Sequence, residues 1–439
     1  MKNSIDSALR DGFTEPIRDA LWGHIYLTPE LEKITRTGVF VRLHRIAQLG
    51  PASFCYPGAT HTRAAHSIGV YHLAWRLLSV LCDRGASGWL SFSGIRSALC
   101  AALLHDVGHF PYAHSLKELP LLTHEELSGS LILSPAVSSL VLGAGGDPTV
   151  CAAIVDGSID AKGDTEILFY RKLLSGCLDP DKLDYLNRDA RYCGVPYGAQ
   201  DIDFIFSMLY PHKERGLDID QRGIPSVEAI LFSKYMMYRS VYWHHSVRCA
   251  TAMVKKPLLN GLIEGYLRPH DLYDLSDMGL FTLMSRMASD GHHLFELGLR
   301  AYSGQFFSLA AEFPFDSRPY TALADIMARP LYEKYLASAL TSESGVAVNE
   351  NELIIDVPEP FSFETDLFIR GKNCPFNEST SFFAGKTMDS CIKILRIVRV
   401  FIDRSVYEGR ESLISKALDN VLDSALSMPP AGAPTGAAY

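Results

Sequence analysis

Residues 97–114 read SALCAALLHDVGHFPYAH. From Ser97 to Leu104 the run is small or apolar at every position, so it predicts a buried helix over 96–106, RSALCAALLHD, closing near Gly108. An imidazole and a carboxylate follow at once, His105-Asp106, and an unpartnered carboxylate is costly in a core. Adjacent helical residues point about 100° apart at ~3.6 residues per turn. Both can therefore face one ion at a helix end, where Gly108 puts them.

Two further segments extend this pattern. In 60–78, THTRAAHSIGVYHLAWRLL, His66, Val70, Leu73 and Leu77 share one helix face, so His66 points where the core side chains point. In 177–192, CLDPDKLDYLNRDARY, a helix is predicted after Pro180, with Asp179 as N-cap and Asp181 in its first turn. Asp181, Tyr185 and Asp189 fall at i, i+4 and i+8, with Lys182 on the flank. His66, His105, Asp106 and Asp181 together offer a mixed nitrogen and oxygen shell for one divalent ion. Mn, Mg, Fe, Co, Ni and Zn all suit it, and positions remain for water and substrate. This is the ligand set of a metal-assisted hydrolase. His109, His114 and His124 crowd the same stretch and suit proton transfer or phosphate binding. His124 also lies in a T-x-x-E capping pattern. His72 reads as a core histidine, and the pair His244-His245 as a pocket wall or structural element.

The chain has 439 residues, 47% of them hydrophobic, and a net charge of −9. It can bury a sizeable core, and it lacks the global basic field that a nucleic-acid partner would favour. No apolar run approaches the ~20 residues of a membrane span, and MKNSIDSALRDGFTEP has no signal-peptide core. The nine cysteines stand singly, which suits a reducing cytoplasm. Helices are predicted at 226–266, 275–300 and 321–340, with a short hairpin or loop at 213–226. Near 345 the texture changes. ELIIDVPEP, TDLFIRG and IKILRIVRVFID predict a small strand-and-helix region. The expected organisation is a helical domain over 1–345 with its metal site within 40–195, an α+β region over 346–428, and a disordered tail over 429–439.

The ordered set H…HD…D resembles the HD-domain phosphohydrolase superfamily. The strings VRLHRIAQLGPASFCYPGATHTRAAHSIGVYHLA, ALLHDVGHFPYAH and DPDKLDYLNRDARYCGV resemble its deoxynucleoside triphosphate triphosphohydrolase branch. The likeness runs from about residue 15 to 405 and is strongest up to 195. It implies a mostly α fold, an HD-domain helical core with a small C-terminal α+β region. It also implies that His66, His105, Asp106 and Asp181 hold the metal, with a second ion an option alongside the substrate. His109, His114 and His124 match the histidines around the phosphates, and His124 or His109 matches the proton donor. Arg63 and Lys182 match phosphate-binding positions, and Lys234 stands where some members carry an arginine. Gln48, Tyr185, Asp189 and Tyr242 match the contacts to a deoxyribose. The resemblance further implies a nucleotide substrate and a homo-oligomer, a dimer or larger.

Departures from the pattern are Phe110, Lys117 ahead of Glu118, Ala64-Ala65 and Trp243. They leave the metal ligands untouched and bear on substrate and cleavage position. The expected activity is hydrolysis of a deoxynucleoside triphosphate to deoxynucleoside and tripolyphosphate. The alternatives are a nucleotide phosphomonoesterase or phosphodiesterase, and a nucleotide sensor without turnover.

Overall fold

A computed structural model of the chain describes residues 4–315, 320–372, 374–380, 383 and 385–427, and the tail expected to be disordered over 429–439 lies outside them. The fold is mostly helical with three small sheets, in line with the expectation. Its centre is a layer of three helices: α1 (Arg63–Asp83) packs against α2 (Phe92–Leu104) and, on another side, against a long helix over Pro180–Cys193. Every residue of α2 from Gly94 to Leu104 is buried, as the small and apolar run from Ser97 to Leu104 requires, and the buried Arg96 stacks on Phe13 and Phe92. The next helix to bear on the site, α3 (His124–Leu133), starts with a reciprocal Thr123–Glu126 capping box. The third core helix, α4 (Pro180–Cys193), starts as the sequence predicts. Asp179 accepts from the Lys182 N–H, Pro180 occupies the first turn, and Gly194 closes the helix at φ +68°.

A hairpin of β1 (Glu15–Asp19) and β2 (Gly23–Leu27) lies beside α1, where the sequence pattern predicts no strands. A hairpin forms near the expected 213–226 but is shifted towards the N-terminus, as β3 (Leu209–His212) and β4 (Gly216–Ile219), because a helix already begins at Ile224. The helix expected over 226–266 is broken in two. α5 (Ile224–Met237) passes into a π-helical turn over Tyr238–Tyr242, and α6 (His245–Ile263) restarts with His244 as its N-cap. Such π turns recur at functional sites. The helix expected over 275–300 is likewise interrupted, by the turn at His293–Phe295.

The C-terminal sheet is antiparallel. Its first strand is β5 (Ser308–Pro314), an edge follows as β6 (Leu353–Asp356), and a short β7 (Phe368–Ile369) and β8 (Cys374–Pro375) join β4 instead. The central strand is β9 (Ile397–Ile402), between β5 and β6. IKILRIVRVFID is therefore split between the end of a helix at Leu395 and β9. Helices α7 (Arg329–Ser344) and α8 (Glu411–Ser427) pack on each other, and Tyr332, Leu336, Ile414 and Leu418 complete the sheet's core. Pro330 in its first turn explains why α7 starts later than the expected 321. The C-terminal unit thus draws β5 and α7 from before residue 345. Through β7 it also reaches back onto the hairpin of the helical domain.

Candidate active site

Neighbouring side chains hold the HD segment at the Gly108 N–H and at the carbonyls of His105, Val107 and His109. α2 ends at Leu104, so His105, Asp106 and His109 lie on the turns beyond it. The helical spacing that relates His105 to His109 in the sequence does not apply. Ser128 of α3 accepts from the Gly108 N–H (2.8 Å) and donates to the His105 carbonyl (2.7 Å). A Cβ at Gly108 would lie 2.4 Å from the His124 carbonyl oxygen, so glycine is what lets α3 approach. Arg42 donates to the Val107 carbonyl (2.6 Å) and to that of His109.

His66 on α1 and Asp181 on α4 meet over this turn. His66 Nε2 is 2.9 Å from Asp181 Oδ1, and its Nδ1 is 2.8 Å from Asp184 Oδ2. His105 Nδ1 donates to the Ala102 carbonyl (2.9 Å), which leaves Nε2 as the lone-pair nitrogen. That Nε2 is buried without a hydrogen-bond partner, 3.9 Å from Asp181 Oδ1 and 3.4 Å from Asp106 Oδ1. The ligand atoms of His66, His105 and Asp181 all lie within 4.8 Å of one another. Asp106 joins this group through His105 and is also engaged elsewhere. Its Oδ2 accepts from Arg63 (2.8 Å), and Oδ1 is 3.2 Å from His109 Nε2.

These residues fit a cation. An orphaned imidazole lone pair faces two carboxylates, and each of the two imidazoles has its other nitrogen fixed by an oxygen, as metal-bound histidines do. Burial disfavours a charged His66, yet Asp181 and Asp184 outweigh it and push its pKa up to about 10. A positive charge is thus favoured where a metal would sit. Asp184 is held at about 2: its burial is opposed by Arg188 and then by His66. Arg188, wholly buried, forks onto Asp184 and reaches Asp19 of β1 (2.9 Å), while Trp22 donates to Asp184 (2.5 Å). Gly69 makes room for this group, since a Cβ there would stand 2.0 Å from Asp184 Oδ1. The sequence reading missed Asp184. Its spacing to Arg188, i and i+4, was the available signal.

The other histidines form a second cluster. The rings of His109 and His124 stack at 3.9 Å, and His114 lies 4.6 Å and 4.8 Å from them. Burial, reinforced by Arg63, pushes His109 down to about 3. Burial and the neighbouring His109 also hold His114 and His124 well below the ordinary range, although His114 retains an open edge on the cavity. His124 Nδ1 is 3.0 Å from Glu125. All three stand neutral near pH 7.

A cavity of about 530 Å³ opens over both clusters. His66, Asp106, Asp181, His114, His124 and Arg63 line it, whereas His109 is fully buried behind them. In the same lining, Tyr242 donates to Asp189 (2.7 Å), which also contacts His61 (2.8 Å), and Tyr185 packs edge-on to Tyr242. Gln48 borders the cavity with a buried, unpartnered Oε1. Lys182 and Lys234 are present but engaged. Lys182 Nζ meets Asp179 (2.7 Å) and Glu364 (3.6 Å), and Lys234 Nζ meets Glu364 (2.8 Å) and the Ser362 carbonyl (2.8 Å). Lys117 faces the cavity, while Glu118 turns away to Lys255 and Arg329. His244 caps α6 and touches Cys55, the structural role expected of it.

Residues 211–370 match the family described as HD associated region. The chain is 34% identical over 239 residues to the uncharacterized protein YwfO of Bacillus subtilis, covering 53% of each chain. It is 28% identical over 207 residues to the deoxynucleoside triphosphate triphosphohydrolase SAMHD1 of Xenopus laevis, 46% of this chain and 32% of that one. A phosphohydrolase structure from Bacteroides thetaiotaomicron aligns over 89% of this chain and 99% of that one, with a TM-score of 0.67 and 24% identity. The chain spans about half the length of the first curated relatives it matches. The H…HD…D residues are gathered in one site, and over these partial spans the chain is similar to HD-domain proteins and carries an HD associated region. No single described helix is long and apolar enough to cross a membrane.

Proposed function

We propose that this protein hydrolyses deoxynucleoside triphosphates to deoxynucleoside and tripolyphosphate, using a divalent ion. The observation that carries the reading is the mixed lining of the cavity. Beside His66, Asp106 and Asp181 it presents phosphate-suited side chains (Arg63, His114, His124) and hydroxyl-suited ones (Gln48, Asp189, Tyr242). A divalent ion held by His66, His105, Asp106 and Asp181 supplies an acidified water and neutralises phosphate charge. Arg63 is fixed by Asp106 and presents its guanidinium to phosphate oxygens without further ordering. Asp189 and the Gln48 carbonyl oxygen accept from sugar hydroxyls, and the Tyr242 ring crowds the sugar's other face. His124, on the cavity wall with Glu125 behind it, delivers the proton to the departing 5′-oxygen. Phosphate charge beside the neutral histidines favours their protonated form, so substrate binding draws that proton in.

Chromatographic product analysis of the metal-supplemented protein tests this, with the four deoxynucleoside triphosphates, GTP and a nucleoside monophosphate as substrates and Asp106→Ala as control. Deoxynucleoside with tripolyphosphate is the expected product pair. Orthophosphate from the monophosphate alone would replace the reading with a phosphomonoesterase, which the engagement of Lys182 and Lys234 by Glu364 favours.

A further inference from the structure

The coil between β6 and β7 crosses the cavity wall and carries Glu359, Pro360 and Glu364 onto it. It is pinned at two places. Glu359 is gripped by Arg248 (2.7 Å) and Lys255 (3.0 Å), and Phe361 packs on Tyr238 of the π turn (4.2 Å) and on Trp243 (5.8 Å). Those anchors leave the Glu364 carboxylate between two ammonium groups, 2.8 Å from Lys234 Nζ and 3.6 Å from Lys182 Nζ. A carboxylate oxygen in that position stands where a phosphate oxygen would.

We propose that Glu364 is a specificity-determining residue: its carboxylate competes with substrate phosphate for Lys182 and Lys234, and thereby sets how much phosphate charge the cavity accepts. This deepens the reading of the cavity as a polyphosphate site and rests on it. Two observations separate Glu364 from a purely structural carboxylate. Asp179 also pairs with Lys182, but it is buried and caps α4, so it cannot leave without opening the helix. Glu364 lies on a coil with 34% of its side chain exposed, so it can turn into solvent as phosphate arrives. Charge makes the second point. Five lysine or arginine side chains and six carboxylates line the cavity, and Glu364 is the lining carboxylate that lies against both Lys182 and Lys234. A single phosphate can rest against Arg63 and leave Glu364 in place. A phosphate chain long enough to reach Lys182 and Lys234 must displace it.

Calorimetric titration with inorganic tripolyphosphate and with orthophosphate, in excess Mg²⁺, tests this on the full-length protein and Glu364→Gln. Glu350→Gln, an exposed glutamate remote from the cavity lining, controls for net charge, and Lys234→Gln reports whether that lysine binds the chain at all. Removing one like charge from the path should tighten tripolyphosphate binding about tenfold. Orthophosphate binding should stay as it was, and Glu350→Gln should match wild type. If Glu364 only anchored the coil, Glu364→Gln would bind tripolyphosphate equally or more weakly and melt at a lower temperature. That result, with Lys234→Gln weakened, would overturn the proposal and leave the polyphosphate site standing. No tripolyphosphate binding by wild type or by Glu364→Gln would bring down the polyphosphate reading and the proposal with it.

Discussion

Two groups of imidazoles flank Asp106, and they are the same side chain set to opposite purposes. On one side His66 lies between Asp181 and Asp184, whose charges push its pKa up to about 10 against its burial. On the other, His109 lies against Arg63 and two more imidazoles and loses its proton at about pH 3. Both residues are buried, so burial cannot explain the difference. The neighbours do: carboxylates overcome burial at His66 and make that group a place for a cation, while burial, with Arg63 beside it, leaves His109 neutral. Asp106 contacts both groups, through His105 and His109, and separates a metal-suited half from a phosphate-suited half.

The sharpest way to break this division is to remove the residue that joins it. Asp106→Ala takes a carboxylate from beside His105 and the anchor from Arg63 together. Turnover should fall by about three orders of magnitude or more, and bound metal measured by elemental analysis should be lost with it. Retention of full metal occupancy would show that His66, His105 and Asp181 suffice. His124→Gln touches the phosphate-suited half alone. A fall of roughly 10²–10⁴ in turnover with metal content unchanged is expected of a lost proton donor. Loss of metal in that variant would mean that the two halves are one site.

Asp184→Asn probes the metal-suited half from behind. The amide keeps the shape but removes the charge that orients His66 and meets Arg188. Metal affinity should drop about 10–100-fold, read by competition with a chelating dye. Asp184→Ala should in addition destabilise the fold by about 3–5 kcal/mol, because Arg188 is left buried with Asp19 as its remaining carboxylate. A denaturant titration that shows no such loss would place the Arg188 contact outside the stability of the core.

Part of this division is legible in the amino-acid sequence. His66 and Asp181 fall on predicted helix faces, and Asp179-Pro180 marks the start of α4 by cap chemistry alone. Those are local signals, and local signals survive folding. The relation of His105 to His109 is not legible in the same way, because helical spacing cannot be carried past Leu104, where the backbone leaves the helix. Asp184 and Arg188 show a salt-bridge spacing, but spacing does not say whether the pair faces water or lies between helices. The hairpin β1–β2, which supplies Asp19 and Trp22, decides that. Glu364 has no sequence signal at all. It reaches Lys182 and Lys234 from a coil whose course is set by Arg248 and by the packing of Phe361, contacts far apart in sequence.

The pH dependence of stability reads the comparison most directly. His109 binds a proton at about pH 3 in the fold and at the ordinary value of about 6.5 in the unfolded chain. Between those values the unfolded state holds the extra proton, so stability rises with pH and is lost as pH falls from about 6.5 towards 3. A cation at Asp106 would push His109 the same way, so the sign holds for metal-loaded protein. Each such proton contributes a slope of about 1.4 kcal/mol per pH unit. His114 and His124 are shifted in the same direction and steepen it. Denaturant titrations at a series of pH values should therefore show a limb below pH 6.5 that His109→Gln makes shallower by about one proton. An unchanged slope in that variant would mean that His109 is already protonated in the fold, and that the second cluster is cationic before any phosphate reaches it.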